Sequence, residues 1–100
     1  MQKNGIIDKT LTVVIPTLNE AATVGNVISG AKRHTDDVLV VDGHSWDDTA
    51  SIARSLGARV IFDHKKGKGD AIRASLPHIG RDITVFMDAV GSHNPQDLPH

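Results

Sequence analysis

Four short apolar runs punctuate the chain: Leu11–Ile15, Val38–Val41, Ala58–Phe62 and Ile83–Met87. Each gives way to a polar or acidic segment, beginning Pro16-Thr17, Asp42-Gly43, Asp63-His64 and Asp88-Ala89. Continuous apolar runs without alternation predict strands buried on both faces, as in a parallel sheet. The predicted strands cover 11–15, 38–42, 58–62 and 83–87. A parallel sheet places all its strand carboxyl ends along one edge, where open α/β sheets bind their ligands.

Between these runs the period changes to that of helices. Ala21, Val24, Val27, Ile28 and Ala31 form one apolar face and predict a helix over 20–33. Thr17 and Glu20 have capping-box spacing, with Asn19 as an alternative cap. A second helix is expected over 47–56. Ser45 and Asp48 have capping spacing, and Ile52, Ala53 and Leu56 form the buried stripe. Gly57 is placed to end it in the left-handed conformation. A third helix, over 69–78, uses Ile72, Leu76 and Ile79, and Asn94-Pro95 reads as the start of another. Residues 1–10 read as a leader. The alternation is β-α-β-α-β-α-β, an α/β chain of right-handed crossover units with helices on both faces of the sheet.

Composition narrows the function classes. One hundred residues, 39% hydrophobic and 23% charged, make at most one domain of modest core. A formal net charge of −1 argues against nucleic acid or an anionic membrane as a general partner. Trp46, Phe62 and Phe86 are the only aromatic residues, too few for a stacking surface for single strands. No cysteine is present, so disulfide and thiolate chemistry are excluded. No apolar stretch approaches the ~20 residues of a membrane span. We expect a cytoplasmic location, at the cytoplasmic membrane face in a full-length form.

The strand-end segments hold the candidate chemistry. In the first, a helix amino end facing the crevice suits a phosphate or a uracil-like edge, and Glu20 is an acceptor for a base or ribose hydroxyl. Thr17, Asn19 and Glu20 also read simply as caps. In the second, Asp42 can hold a ribose hydroxyl or a base N–H, and Gly43 permits close approach to the backbone. Asp42 also reads as an acid ending a strand in a turn, and Trp46 as a packing residue or a partly exposed one beside the crevice. The third, Lys65-Lys66-Gly67-Lys68-Gly69, can neutralise a diphosphate or be a solvated basic loop. It lacks the glycine spacing of a nucleoside-triphosphatase loop. In the fourth, Asp88 suits a divalent metal carrying a diphosphate, with His93 nearby as a possible nitrogen donor. The other histidines lack zinc-site spacing.

Four stretches, in this order, resemble the amino-terminal half of the family 2 inverting glycosyltransferases. They are Val13–Glu20, Val40–Thr49, Gly67–Arg73 and Phe86–Pro95. The likeness is greatest to the dolichyl- or polyprenyl-phosphate mannosyl- and glucosyltransferase branch. It implies a Rossmann-like sheet of the nucleotide-diphospho-sugar transferase type, with strand order 3-2-1-4. It also implies a UDP- or GDP-sugar as ligand and a polyprenyl phosphate or similar acceptor. Pro16, Thr17, Asn19 and Glu20 would line the nucleoside pocket, and Asp42 and Gly43 would meet the base or ribose. Lys68 would lie near the phosphates, and Asp88 and Ala89 at the sugar-nucleotide site. A Mg²⁺ or Mn²⁺ ion is expected for the family.

Two departures qualify this. The family pattern at the fourth loop is Asp-x-Asp, and Val90 stands at the second acid. Ser92 occupies the further ligand position of the branch and offers only a neutral hydroxyl. Weak metal binding at Asp88 and Ser92, and impaired transfer, are therefore expected. The second departure is length. Residues 11–100 correspond to the nucleotide-sugar-binding part of a truncated domain, in which no catalytic base can be assigned. A half-domain leaves apolar surface uncovered, so a homo-oligomer is expected. A non-catalytic, self-associating half-domain with a vestigial crevice is the alternative. A pyrophosphorylase relative is disfavoured, because no Gly-x-Gly-x-Arg loop follows the first strand.

Overall fold

The computed structural model describes residues 7–65 and 70–89. Their elements are β1 (Leu11–Thr17), α1 (Val24–Ala31), β2 (Val38–Asp42), α2 (Thr49–Ser55), β3 (Arg59–Phe62), α3 (Asp70–Ser75) and β4 (Ile83–Phe86), with a 3-10 turn over Leu76–His78 before β4. All strand pairs are parallel, in the order β3-β2-β1-β4, as the resemblance implied. The register sets Thr17 opposite Asp42, and Asp42 opposite Phe62.

Each face of the sheet has its own core. Val13 and Ile15 of β1 and Val38 and Val40 of β2 pack with Val24, Ile28 and Ala31 of α1 and Ala53 of α2. Their neighbours Val14, Leu39 and Val41 point the other way and meet Ala71 and Ala74 of α3. The period-2 pleat thus serves two helical layers from one run of valines. Successive crossovers run outward from β1 to β2 and β3, and the chain then returns to β4 on the other side of β1. The switch point lies between β1 and β4, at the sheet's carboxyl edge.

Several expectations change. Only β1 and β2 are buried along most of their length. Phe62 of β3 is 43% exposed, and Ile83, Val85 and Phe86 of β4 are 48%, 42% and 44% exposed. β3 and β4 are the sheet's edges, and α3 packs on β2 and β3 rather than β4. The third helix does not bury Ile72 and Leu76, which are exposed. Its buried face is Asp70, Ala71, Ala74 and Ser75, small side chains that bring the helix close to the sheet. Pro77 has no N–H to continue α-helical bonding, and the last turn tightens to 3-10. Leu56 is more exposed than a buried stripe requires, and Trp46 is 85% exposed, so it is no packing residue. Gly57 does take φ +88° after α2, as its position predicts. The expected start at Asn94-Pro95 lies outside the described residues.

The amino edge of the sheet is fastened by ion pairs. The Asp37 carboxylate accepts from Thr12 Oγ1 at 2.6 Å and from Arg59 Nε at 3.0 Å, joining the starts of β1 and β3. Asp36 pairs with Lys9 at 2.7 Å and with Arg81 at 2.6 Å, tying β2's approach to those of β1 and β4. Asp8, just before them, donates its backbone N–H to the His34 carbonyl. Bonds from Lys9 and Arg81 hold the Asp36 carboxyl below its ordinary 3.8, at about 2. A depressed carboxyl favours folding while ionised. Its contribution is complete above about pH 4 and is lost as pH falls toward 2. Asp36→Asn should flatten the fall of unfolding free energy across that window, with a modest effect because the pair is exposed to salt screening. Urea titrations at stepwise pH followed by circular dichroism measure it. An unchanged acid limb would rule out the contribution.

Candidate active site

At the carboxyl edge the loops are bonded to one another rather than to their own helices. The pivot is Asp42, whose carboxylate is fully buried. Its Oδ1 accepts from Thr17 Oγ1 at 2.8 Å and from Ser45 Oγ at 2.6 Å, and its Oδ2 accepts from the Ser45 N–H at 2.7 Å. Ser45 Oγ in turn accepts from the Asn19 N–H at 2.8 Å, and Asn19 Oδ1 accepts from the Trp46 N–H at 2.8 Å. The Glu20 N–H donates to Thr49 Oγ1 at 2.9 Å, and the Ala21 N–H to Asp47 Oδ2 at 3.2 Å. Thr23 Oγ1 reaches across the switch point to the Ala89 carbonyl at 2.6 Å.

This network replaces the expected capping. Thr17 and Ser45 spend their hydroxyls on Asp42. Glu20 Oε1 accepts from the Leu18 N–H at 3.0 Å. α1 starts at Val24 rather than at residue 20, and neither Thr23 nor Asp48 makes a side-chain cap bond. The N–H groups of Asn19, Glu20 and Ala21 are bonded to the second loop, and the Thr49 N–H donates to Asp47 Oδ1 at 3.0 Å.

Between these loops lies a cavity of about 870 Å³. Pro16, Thr17, Leu18 and Glu20 line it from the first loop, Gly43 and His44 from the second, Asp63 and Lys65 from the third, and Asp88 from the fourth. Its size is that of a small-molecule site. Three residues here hold left-handed backbones without being glycine: Asn19 at φ 54°, His44 at φ 67° and Lys65 at φ 60°. One lies beyond each of the first three strands. Such conformations cost of order 1–3 kcal/mol each and concentrate at ligand-binding sites. Gly43 donates its N–H to the Thr17 carbonyl at 2.8 Å, and a Cβ on it would sit 3.3 Å from that oxygen.

Several sequence-predicted residues thus meet on one cavity: Pro16, Thr17, Glu20, Gly43 and Asp88. Asn19 and Asp42 lie beneath it as bonding partners of the loops, and Ala89 is buried against Thr23. Lys68, Val90, Ser92 and His93 lie outside the described residues. Reasoning from sequence missed His44 and Asp63, and gave Lys65 only as part of a basic run. The signal for Asp63 was available, since it ends its strand as Asp42 and Asp88 end theirs. Burial raises the Glu20 carboxyl above its ordinary value. The Leu18 N–H opposes this, and the nearby charges of Asp88, Asp47 and Asp42 add to it. Among the described residues no three histidine, cysteine or acidic side chains are grouped to hold a metal ion.

A doubly wound parallel sheet with a built cavity at its switch point defines an α/β protein whose ligand site lies at the strand carboxyl ends. The family model for glycosyl transferase family 2 matches residues 12–100, and the chain belongs to that family. It is 38% identical over 92 residues to a dolichyl-phosphate hexose transferase of Haloferax volcanii, covering 89% of this chain and 40% of that protein. It is 37% identical over 93 residues to a glucosyl-3-phosphoglycerate synthase of Mycobacterium tuberculosis, covering 81% of this chain and 29% of that one. A structure of the mycobacterial synthase with Mn²⁺, UDP and glucosyl-3-phosphoglycerate superposes with a TM-score of 0.72 at 36% identity, over 81% of this chain and 33% of that one. The mannosyl-3-phosphoglycerate synthase of Rubrobacter xylanophilus superposes with a TM-score of 0.73 at 33% identity, over 82% and 31%. The chain therefore spans well under half the length of these relatives. No helix among the described residues is long and apolar enough to cross a membrane.

The Asp42 network generates a prediction. Asp42→Asn keeps one acceptor oxygen but turns an amide N–H₂ toward a donor, Thr17 or the Ser45 N–H. Leaving a buried donor unmatched costs about 1–3 kcal/mol. Urea unfolding should show a loss of that size, and Thr17→Val, which removes a single donor, a smaller one. Equal stability of Asp42→Asn and the unaltered chain would refute the pivot.

Proposed function

We propose that residues 11–100 are the nucleotide-sugar-binding part of a family 2 glycosyltransferase, and that the cavity holds a UDP- or GDP-sugar. The observation that carries this is the convergence of all four strand-end loops on one cavity, in a chain of this family. Pro16, Thr17, Glu20 and Gly43 form the nucleoside side. Asp42 and Asn19 hold those loops in place, Lys68 offsets phosphate charge, and Asp88 and Ala89 lie on the sugar-diphosphate side. The reaction proposed for the whole protein is direct displacement. An acceptor hydroxyl or phosphate oxygen gives its proton, where it carries one, to a base and bonds to the anomeric carbon. The bond from that carbon to the diphosphate oxygen breaks as the nucleotide leaves. A polyprenyl phosphate is the acceptor class suggested by the dolichyl-phosphate relative. No residue of this chain is assigned as the base.

A divalent ion, when bound, would offset the charge of the leaving diphosphate. Asp88 and Ser92 are the positions for it, and Val90 weakens the set, so transfer by this chain is impaired. Calorimetric titration with UDP and GDP should give saturable binding that Mn²⁺ changes little, while Val90→Asp should make binding Mn²⁺-dependent. No binding of either nucleotide would sink the proposal, and a tight Mn²⁺ site in the unaltered chain would contradict the role given to Val90.

A second reading, a self-associating half-domain, has its own support in β4. Ile83, Val85 and Phe86 leave both faces of this edge strand partly open. Exposed apolar edge strands pair with other chains. Light scattering should report a dimer or larger species, and Val85→Lys should shift it toward monomer. A monodisperse monomer in the unaltered chain would exclude this reading.

A further inference from the structure

We propose that Asp63 makes the crevice selective for guanine, so that the nucleotide taken is GDP-linked rather than UDP-linked. The inference rests on the nucleotide-binding reading above and specifies the ligand of that same cavity.

The cavity has two acidic ends. Asp88 follows β4 and lies near Glu20, while Asp63 follows β3, on the opposite edge of the sheet. Three inter-strand steps separate these edges, about 14 Å at ~4.8 Å per step. That is the length scale of an extended nucleoside diphosphate. With the sugar-diphosphate end at Asp88, the base falls at the β2–β3 end, against Gly43 and Asp63.

Asp63 is fixed there. Its N–H donates to the Asp42 carbonyl at 3.1 Å, and its carbonyl accepts from His44 Nε2 at 2.8 Å. Oδ1 accepts from the Lys65 N–H at 2.9 Å, and the side chain is 14% exposed. Oδ2 has no hydrogen-bond donor among the described residues. It lies 3.4 Å from where a Cβ on residue 43 would stand. Glycine therefore leaves a corner open in front of a held carboxylate. The left-handed backbones of His44 and Lys65 build the two sides of that corner.

A carboxylate only accepts hydrogen bonds, through two adjacent oxygens. Guanine offers the matching pair, N1–H beside N2–H₂, and the charged bidentate contact is the strong kind. Uracil offers a single N3–H flanked by two carbonyl oxygens that a carboxylate repels. Adenine and cytosine place a ring acceptor beside their amino group. Selection therefore comes from attraction to guanine and repulsion of the others. Lys65, on the same cavity wall, supplies a donor for guanine O6.

The test titrates the 100-residue chain calorimetrically with GDP, UDP and IDP, whose base lacks the 2-amino group. GDP should bind at least about tenfold more tightly than UDP, with IDP weakened relative to GDP by a similar factor. Asp63→Asn presents one donor and one acceptor, the complement of uracil, and should remove or reverse the preference for GDP over UDP. UDP binding as tightly as GDP, equal affinity for GDP and IDP, or an unchanged ratio in a folded Asp63→Asn variant would each overturn the inference while leaving nucleotide binding intact. Failure of all three ligands to bind would overturn it together with the reading it rests on.

Discussion

The buried Asp42 carboxylate sets the shape of the crevice. It stands at the end of β2 beside β1, with no exposure to solvent, and three donors converge on it from Thr17 and Ser45. A carboxylate removed from water is tolerable only when its lone pairs are satisfied. That requirement works in both directions. The donors stabilise the charge, and the charge fixes where the two loops stand. Through Ser45 the constraint passes to Asn19, and through Asn19 to Trp46. The backbone of Asp42 extends it to the third strand by accepting from the Asp63 N–H. Three loops of the cavity are thereby positioned by one side chain and its own peptide group.

The two edges of the sheet are built from different chemistry. At the amino edge, charged side chains pair directly, Asp36 with Lys9 and Arg81, and Asp37 with Arg59. These pairs are partly solvated and each contributes little. Their value is in holding four strand starts in register. At the carboxyl edge the polar side chains bond to backbone groups and to one another, and several residues take left-handed conformations. Strain is tolerated at one end because the valine core of β1 and β2, and the ion-paired far edge, leave the strands no freedom to relax.

The parallel sheet was legible because Val13–Ile15 and Val38–Val41 have no polar face to mistake. The stripe Val24, Ile28 and Ala31 likewise survived into α1. Helix starts were not legible, because Thr17 and Ser45 carry capping spacing yet bond to a carboxylate 25 and three residues away, respectively. Local pattern cannot register a partner supplied by another strand. α3 misled for a related reason. Ile72 and Leu76 look like a core stripe, but the sheet beneath accepts only alanines at that distance. The site was legible wherever a strand ended in an acid. Asp63 also ends its strand, but the basic run that follows makes its segment read as a solvated loop.

Charge bookkeeping in the cavity gives the last constraint. Glu20, Asp63 and Asp88 line it, with Lys65 and His44 as their basic neighbours on the wall. Burial and the surrounding acids already disfavour ionised Glu20. The nucleoside diphosphate proposed for this cavity would add further negative charge, and like charges repel strongly at interior dielectric. Family members that hold a divalent ion meet this with the metal, as the Mn²⁺ and UDP bound together in the mycobacterial synthase illustrate. At the position where the resemblance implies the second acid of an Asp-x-Asp pattern, this chain has Val90. The sequence offers a basic run, Lys65-Lys66-Gly67-Lys68, which Asp63 and His64 separate from β3. Asp63, just before that run, lines the cavity together with Lys65. Under the proposed function, a diphosphate would enter a cavity whose three lining acids outnumber its one lining lysine, Lys65, among the described residues.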